Sequence, residues 1–213
     1  MNEMEKNLPK DAEILDVDKD MPVAYIADTG IMANTRKIKT KDHTTFGDFS
    51  RAIVDYIQNS AKNADRIDFV FDSYFETSIK DSERRRRETT CPIQLNEIKE
   101  ETPLPVQMER FWGASRNKVQ LQMLLHQEAI RRTKERPSNV KLVVSSFSDD
   151  LEEVRCISCC NGTHSEIPEL CLDIEEADTR IIPHAAHAVE QGIIFSEQLV
   201  VLSPDTDVFV LLL

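Results

Sequence analysis

Glu175-Glu176-Ala177-Asp178-Thr179-Arg180 opens an amphipathic helix, and Leu199-Val200-Val201-Leu202-Ser203-Pro204-Asp205-Thr206-Asp207 carries an apolar strand into a pair of acids. The two stretches deliver Glu176 with Asp178 and Asp205 with Asp207, each pair an acid-x-acid step at the edge of a regular element. Gathered carboxylates repel one another and lose hydration, so a stable fold rarely brings them together without a cation. Oxygen donors suit hard divalent ions such as Mg²⁺ and Mn²⁺. In pairs, such ions clamp a phosphodiester during hydrolysis. The same residues also fit solvated helix caps, so the reading turns on whether matching acids lie upstream.

They do. Val23-Ala24-Tyr25-Ile26-Ala27 reads as a short buried strand ending on Asp28-Thr29-Gly30. An acid at the carboxyl end of a strand is where open parallel sheets place their sites, although an Asp that merely turns the chain looks the same. Thr44 or Thr45 is placed to cap a helix over about 45–61, in which Phe46, Phe49, Ile53 and Ile57 recur at helical spacing. Ile67-Asp68-Phe69-Val70-Phe71 is a second buried strand, ending on Asp72. Strand–helix–strand of this length predicts a right-handed crossover with parallel strands, which sends Asp28 and Asp72 to the same edge of the sheet.

Further along, a helix from Ala114 to about Arg132 points Leu121, Leu124, Leu125 and Ala129 inward. Val140 to Val144 is a third core strand. Asn161-Gly162 marks a hairpin between 154–160 and 163–167. A helix over about 174–191 buries Ile174, Ala177, Ile181, Ala185 and Ala188, and Gln198 to Leu202 is the next parallel strand. Ser203-Pro204 then reads as an N-cap with proline at the first helical position. The expected fold is α/β and three-layered: a central, mostly parallel sheet, helices on both faces, and a small β-hairpin.

A length of 213 residues suits one domain, over 21–213, after a flexible segment at 1–20. No apolar run approaches the ~20 residues of a membrane span, so no membrane partner is expected. The polar N-terminus shows no signal peptide, and five cysteines, an odd number, fit a reducing compartment. An intracellular location, nuclear or cytoplasmic and not secreted, is expected. The net charge of -12 argues against a nucleic-acid partner, but residues 80–141 are net basic. Arg84, Arg85, Arg86 and Arg87 point all round a helix, so they form a solvated run, a phosphate-binding cluster or a nuclear localisation signal. Pro92, Pro103, Pro105 and the acids Glu97, Glu100 and Glu101 make 73–113 an expected clamp-like excursion, anchored locally by Trp112. Cys156, Cys159, His164 and Cys171 loosely match a zinc set, but a strand would put Cys156 and Cys159 on opposite faces. The closing run Val208 to Leu213 is apolar throughout, which leads to the expectation of a chain truncated at its C-terminus.

Four segments carry a family resemblance. Tyr25-Ile26-Ala27-Asp28, Phe69-Val70-Phe71-Asp72, Glu176-Ala177-Asp178 and Asp205-Thr206-Asp207 resemble, in order and spacing, the PIN-like nuclease superfamily and its flap-endonuclease-like branch. Glu176 to Arg180 with Asp205 to Val208 is also similar to animal PIN-like proteins associated with mobile elements. The resemblance covers about residues 22–213. It implies a divalent-metal-dependent nuclease acting on DNA or RNA, with Asp28, Asp72, Glu176, Asp178, Asp205 and Asp207 holding one or two Mg²⁺ or Mn²⁺. Lys80 and Arg86 would grip the scissile phosphate, and Arg84, Arg85 and Arg87 would contact the nucleic acid. A catalytically silent PIN-like module that binds nucleic acid or protein is the alternative, and a metal-dependent phosphatase of small substrates is a third. Flap endonucleases carry a further metal-binding Asp and a helix-hairpin region that would fall beyond residue 213, so weak cleavage is expected of this chain.

Overall fold

The computed structural model describes residues 23–29, 40–61, 63–72, 91–147, 153–191, 199–203 and 208. Six strands make one mixed sheet: β1 (Ala24–Asp28), β2 (Arg66–Val70), β3 (Lys141–Phe147), β4 (Val154–Cys160), β5 (Thr163–Glu166) and β6 (Leu199–Leu202). Their order is β5-β4-β3-β2-β1-β6. β3, β2, β1 and β6 run parallel, while β4 and β5 extend the sheet antiparallel. The parallel centre follows from its residues, since β1 and β2 are buried on both faces as central parallel strands require. Asn161 (φ 48°) and Gly162 (φ 77°) both sit in the left-handed region and close the β4–β5 hairpin.

α1 (Phe46–Ser60) and α3 (Ser115–Glu135) cover one face of the sheet, and α4 (Ala177–Glu190) covers the other. α2 (Met108–Trp112) is a single short turn leading into α3. Of the two candidate caps, Thr44 and Thr45, it is Thr45 that caps α1, in a full capping box with Asp48. Phe46, Phe49, Ile53 and Ile57 of α1 meet Tyr25, Ala27, Ile67 and Phe69 of the sheet and Leu121, Leu125 and Ala129 of α3. Each Phe, Ile and Leu among them contributes about 1.5–3 kcal/mol through burial. On the opposite face, Ile26, Val70, Ala177, Ile181, Ala185 and Val208 form a smaller apolar layer.

The structure corrects one expectation. Residues 91–113 are not an excursion but a packed part of the body, with Ile98, Met108 and Phe111 in the main core. The physical reason is that side-chain amides of α3 replace a missing strand partner. Asn117 accepts from the Leu95 amide at 2.9 Å and donates to the Ile93 carbonyl at 2.7 Å. Gln120 accepts from the Ile98 amide at 2.7 Å and donates to the Leu95 carbonyl at 3.3 Å. Gly47 lets the same segment approach α1, because a methyl group there would sit 2.9 Å from the Glu100 carbonyl oxygen. Trp112 does anchor locally, against Phe49 and Phe111.

α4 begins at Ala177, three residues later than the apolar spacing suggests, and leaves Ile174 half-buried ahead of it. Residues 1–20, 73–90 and 209–213, on which the flexible leader, the arginine run and the uncovered apolar end were expected, lie outside the described residues. Among the described residues no helix is long and apolar enough to cross a membrane.

Candidate functional site

The parallel register of β1 and β2 places Asp28 opposite Val70, so Asp28 and Asp72 leave the sheet at the same carboxyl edge. β6 flanks β1 on its other side with Ala27 opposite Leu202, which brings Ser203 level with Asp28. The Ser203 hydroxyl donates to Asp28 Oδ2 at 3.1 Å. From β1 the chain proceeds to β2 through α1 on one face, whereas it reaches β6 through α4 on the other. The gap between β1 and β6 is therefore a topological switch point, where open α/β sheets bind ligands. Asp28 is fully buried there.

Asp72 joins this edge to α4. Its Oδ1 accepts from the backbone amide of Ala177, the first helical residue, at 2.9 Å. Glu176 occupies the N-cap position but makes no side-chain cap bond, so the helix is capped from the strand. Asp178 turns back on its neighbour, accepting from the Thr179 amide at 2.6 Å and the Thr179 hydroxyl at 3.3 Å. Asp28, Asp72, Glu176 and Asp178 are thus placed by three elements that meet at one edge. Lys80, Arg84, Arg85, Arg86, Arg87, Asp205 and Asp207 lie outside the described residues. The donors are all carboxylate oxygens, chemistry that fits a hard divalent cation. Among the described residues, no three His, Cys, Asp or Glu side chains are grouped to hold a metal ion. The expected set draws two of its six carboxylates from outside them.

Beneath the edge lies a buried polar ladder that the sequence reading missed. Arg66 and Asp68, on the α4 face of β2, form a two-pronged ion pair at 2.6 and 2.7 Å with neither side chain exposed. His184 Nδ1 donates to Asp68 Oδ2 at 2.7 Å, and its Nε2 lies 3.4 Å from the Ser145 hydroxyl. This has the connectivity of a Ser-His-Asp triad, but all three residues are buried. A nucleophile must reach substrate, so the arrangement is structural. Burial pushes the Asp68 carboxyl up, and hydrogen bonds from His184 and Arg66 outweigh it, holding Asp68 below the usual carboxylate range. One turn further on, Arg66 Nη1 donates to His187 Nδ1 at 2.9 Å, which requires that nitrogen to be unprotonated. Burial and the Arg66 charge accordingly lower the His187 pKa.

The two buried thiols of β4 are poor nucleophiles. Cys156 faces the α4 layer and Cys159 the α1–α3 layer, as their odd offset requires. Burial raises the Cys156 thiol strongly and pushes Cys159 up to about 11.

Burial, with a smaller effect from His164, pushes His126 on α3 down to about 4. A histidine whose pKa is depressed on folding favours the folded state while neutral. That contribution is complete above an unfolded value of about 6.5 and is lost as pH falls toward 4. The unfolding free energy from urea titrations should therefore drop between pH 6.5 and 4, by on the order of 3 kcal/mol. His126→Gln should flatten the drop, and an unchanged slope in that variant would refute the assignment.

Comparison of the chain with protein-family models, with curated proteins and with solved structures returns no match.

Proposed function

We propose that the chain is a divalent-metal-dependent hydrolase of phosphodiester bonds in DNA or RNA, with a PIN-like arrangement of acids. One observation carries the reading: Asp28 and Asp72 follow adjacent parallel strands at one sheet edge, Asp28 beside the β1–β6 switch point, and Asp72 draws the acidic first turn of α4 to the same edge. When bound, Mg²⁺ or Mn²⁺ supplies positive charge for the phosphoryl oxygens and acidifies water. The chain's own residues provide the oxygen donors and their orientation. Ser203 fixes one oxygen of Asp28, and the Ala177 amide fixes one of Asp72. Asp205 and Asp207, two and four residues past Ser203, follow the strand that flanks Asp28. Lys80 and Arg86 are the cations we assign to the scissile phosphate, with Arg84, Arg85 and Arg87 beside them along the nucleic acid.

The Asp72 cap also suits the second reading, a silent PIN-like module in which that acid only holds α4. Labelled single-stranded, duplex and flapped DNA and RNA, incubated with Mg²⁺, Mn²⁺ or EDTA, separate the two. Cleavage that requires metal supports the hydrolase. Binding that is indifferent to EDTA, with no cleavage, supports the module.

A further inference from the structure

Arg180 belongs to the Glu176-Ala177-Asp178-Thr179-Arg180 stretch but has no part in the function proposed above, and it is 1% exposed. Burying a guanidinium costs several kcal/mol unless its surroundings compensate, so its partners are informative. Nη1 of Arg180 donates to the Phe71 carbonyl at 2.9 Å. Phe71 lies just past the last residue of β2 that pairs with β1 or β3. It is itself buried, so its carbonyl would be costly to leave unmade. The next carbonyl, that of Asp72, accepts from Gln122 Nε2 of α3 at 2.9 Å. Two long side chains from opposite layers therefore hold the exit of β2.

The contacts of α4 with β2 form a ladder along the whole strand. His187 meets Arg66, His184 meets Asp68, Arg180 meets the Phe71 carbonyl, and the Ala177 amide meets Asp72. Helix positions 180, 184 and 187 share one face by their spacing of four and three. The last rung is the acid of the proposed site. We infer that Arg180 is a positioning residue: by gripping the β2 exit from the first turn of α4, it aims the Asp72 carboxylate at the Ala177 amide. The functional consequence rests on Asp72 being a metal-binding acid, whereas the positioning itself does not.

The test uses the full chain and two readouts. Amide hydrogen exchange at Ala177, relative to Ala185 in the same helix, reports the Asp72 cap. The Mn²⁺ concentration that gives half the gain in Tm reports metal binding at the proposed site. In Arg180→Gln, Ala177 exchange should rise at least tenfold relative to Ala185, and the Mn²⁺ midpoint should rise about tenfold. Arg180→Lys keeps a donor and should recover part of both. His187→Gln, at the far end of the ladder, should leave both ratios at wild type. Should Arg180→Gln not fold, Gln122→Met removes the other clamp and is expected to raise Ala177 exchange alike. Equal acceleration at Ala177 and Ala185 would reduce Arg180 to a packing role and overturn the inference. If Ala177 responds as expected while no protein responds to Mn²⁺, the positioning stands and the metal reading falls.

Discussion

Asp68→Asn is expected to lower the unfolding free energy by about 3–5 kcal/mol, the usual loss when one partner of a buried ion pair is removed. The substitution keeps shape and volume, so the loss isolates charge. Arg66 has no exposed surface, and with Asn at 68 an amide oxygen can still accept one of its hydrogen bonds, but the buried cation loses its countercharge. A loss this large is a sizeable share of the ~5–15 kcal/mol that holds a typical domain together. Urea denaturation at pH 7 checks it. The combined change Arg66→Met, Asp68→Leu is expected to be milder than Asp68→Asn alone, because apolar replacements of both partners remove the stranded charge. If Asp68→Asn costs less than about 1 kcal/mol, the ladder beneath α4 is not what fixes the helix on the sheet.

The second large effect concerns chemistry. Asp28→Asn is expected to cut metal-dependent cleavage by on the order of 10²–10³ in kcat, as for other preorganised charges aimed at a reacting centre. Its Ser203 hydrogen bond survives in kind, since an amide oxygen still accepts. Metal-free stability should stay equal or rise slightly, because a fully buried carboxylate is replaced by a neutral amide. Cleavage at wild-type rate in Asp28→Asn would remove this residue from the site.

The architecture was readable because each element declares its period. The αβ alternation, the Thr45 cap, the Asn161-Gly162 turn and the buried strands all follow from local chemistry. So does the placing of Asp28 and Asp72 on one edge of the sheet, since a crossover between parallel strands puts both strand ends there. What was not readable depended on pairing at a distance. Asp68 interrupts an otherwise apolar strand, and Arg180 and His184 fall inside the apolar stripe of α4 between Ala177, Ile181 and Ala185. Each is a polar residue where a core side chain belongs, a signal that could have marked them, but only the fold shows that they answer one another. Residues 91–107 were misread because prolines and acids look like an exposed loop, while their partners, the amides of Asn117 and Gln120, lie more than twenty positions away. Glu176 holds the N-cap position of α4 without a side-chain cap bond. The cap comes instead from Asp72, 105 positions earlier in the chain.

The most direct test of the central claim is the melting temperature of the full chain in millimolar Mn²⁺ or Mg²⁺ against EDTA, with Asp28→Asn alongside. A ligand at a hundredfold its Kd stabilises by about 2.7 kcal/mol. For a domain of this size that corresponds to roughly 5–10 °C. The account predicts a rise of that order for the wild type and little or none for Asp28→Asn. A wild-type protein that melts at the same temperature in metal and in EDTA would contradict it.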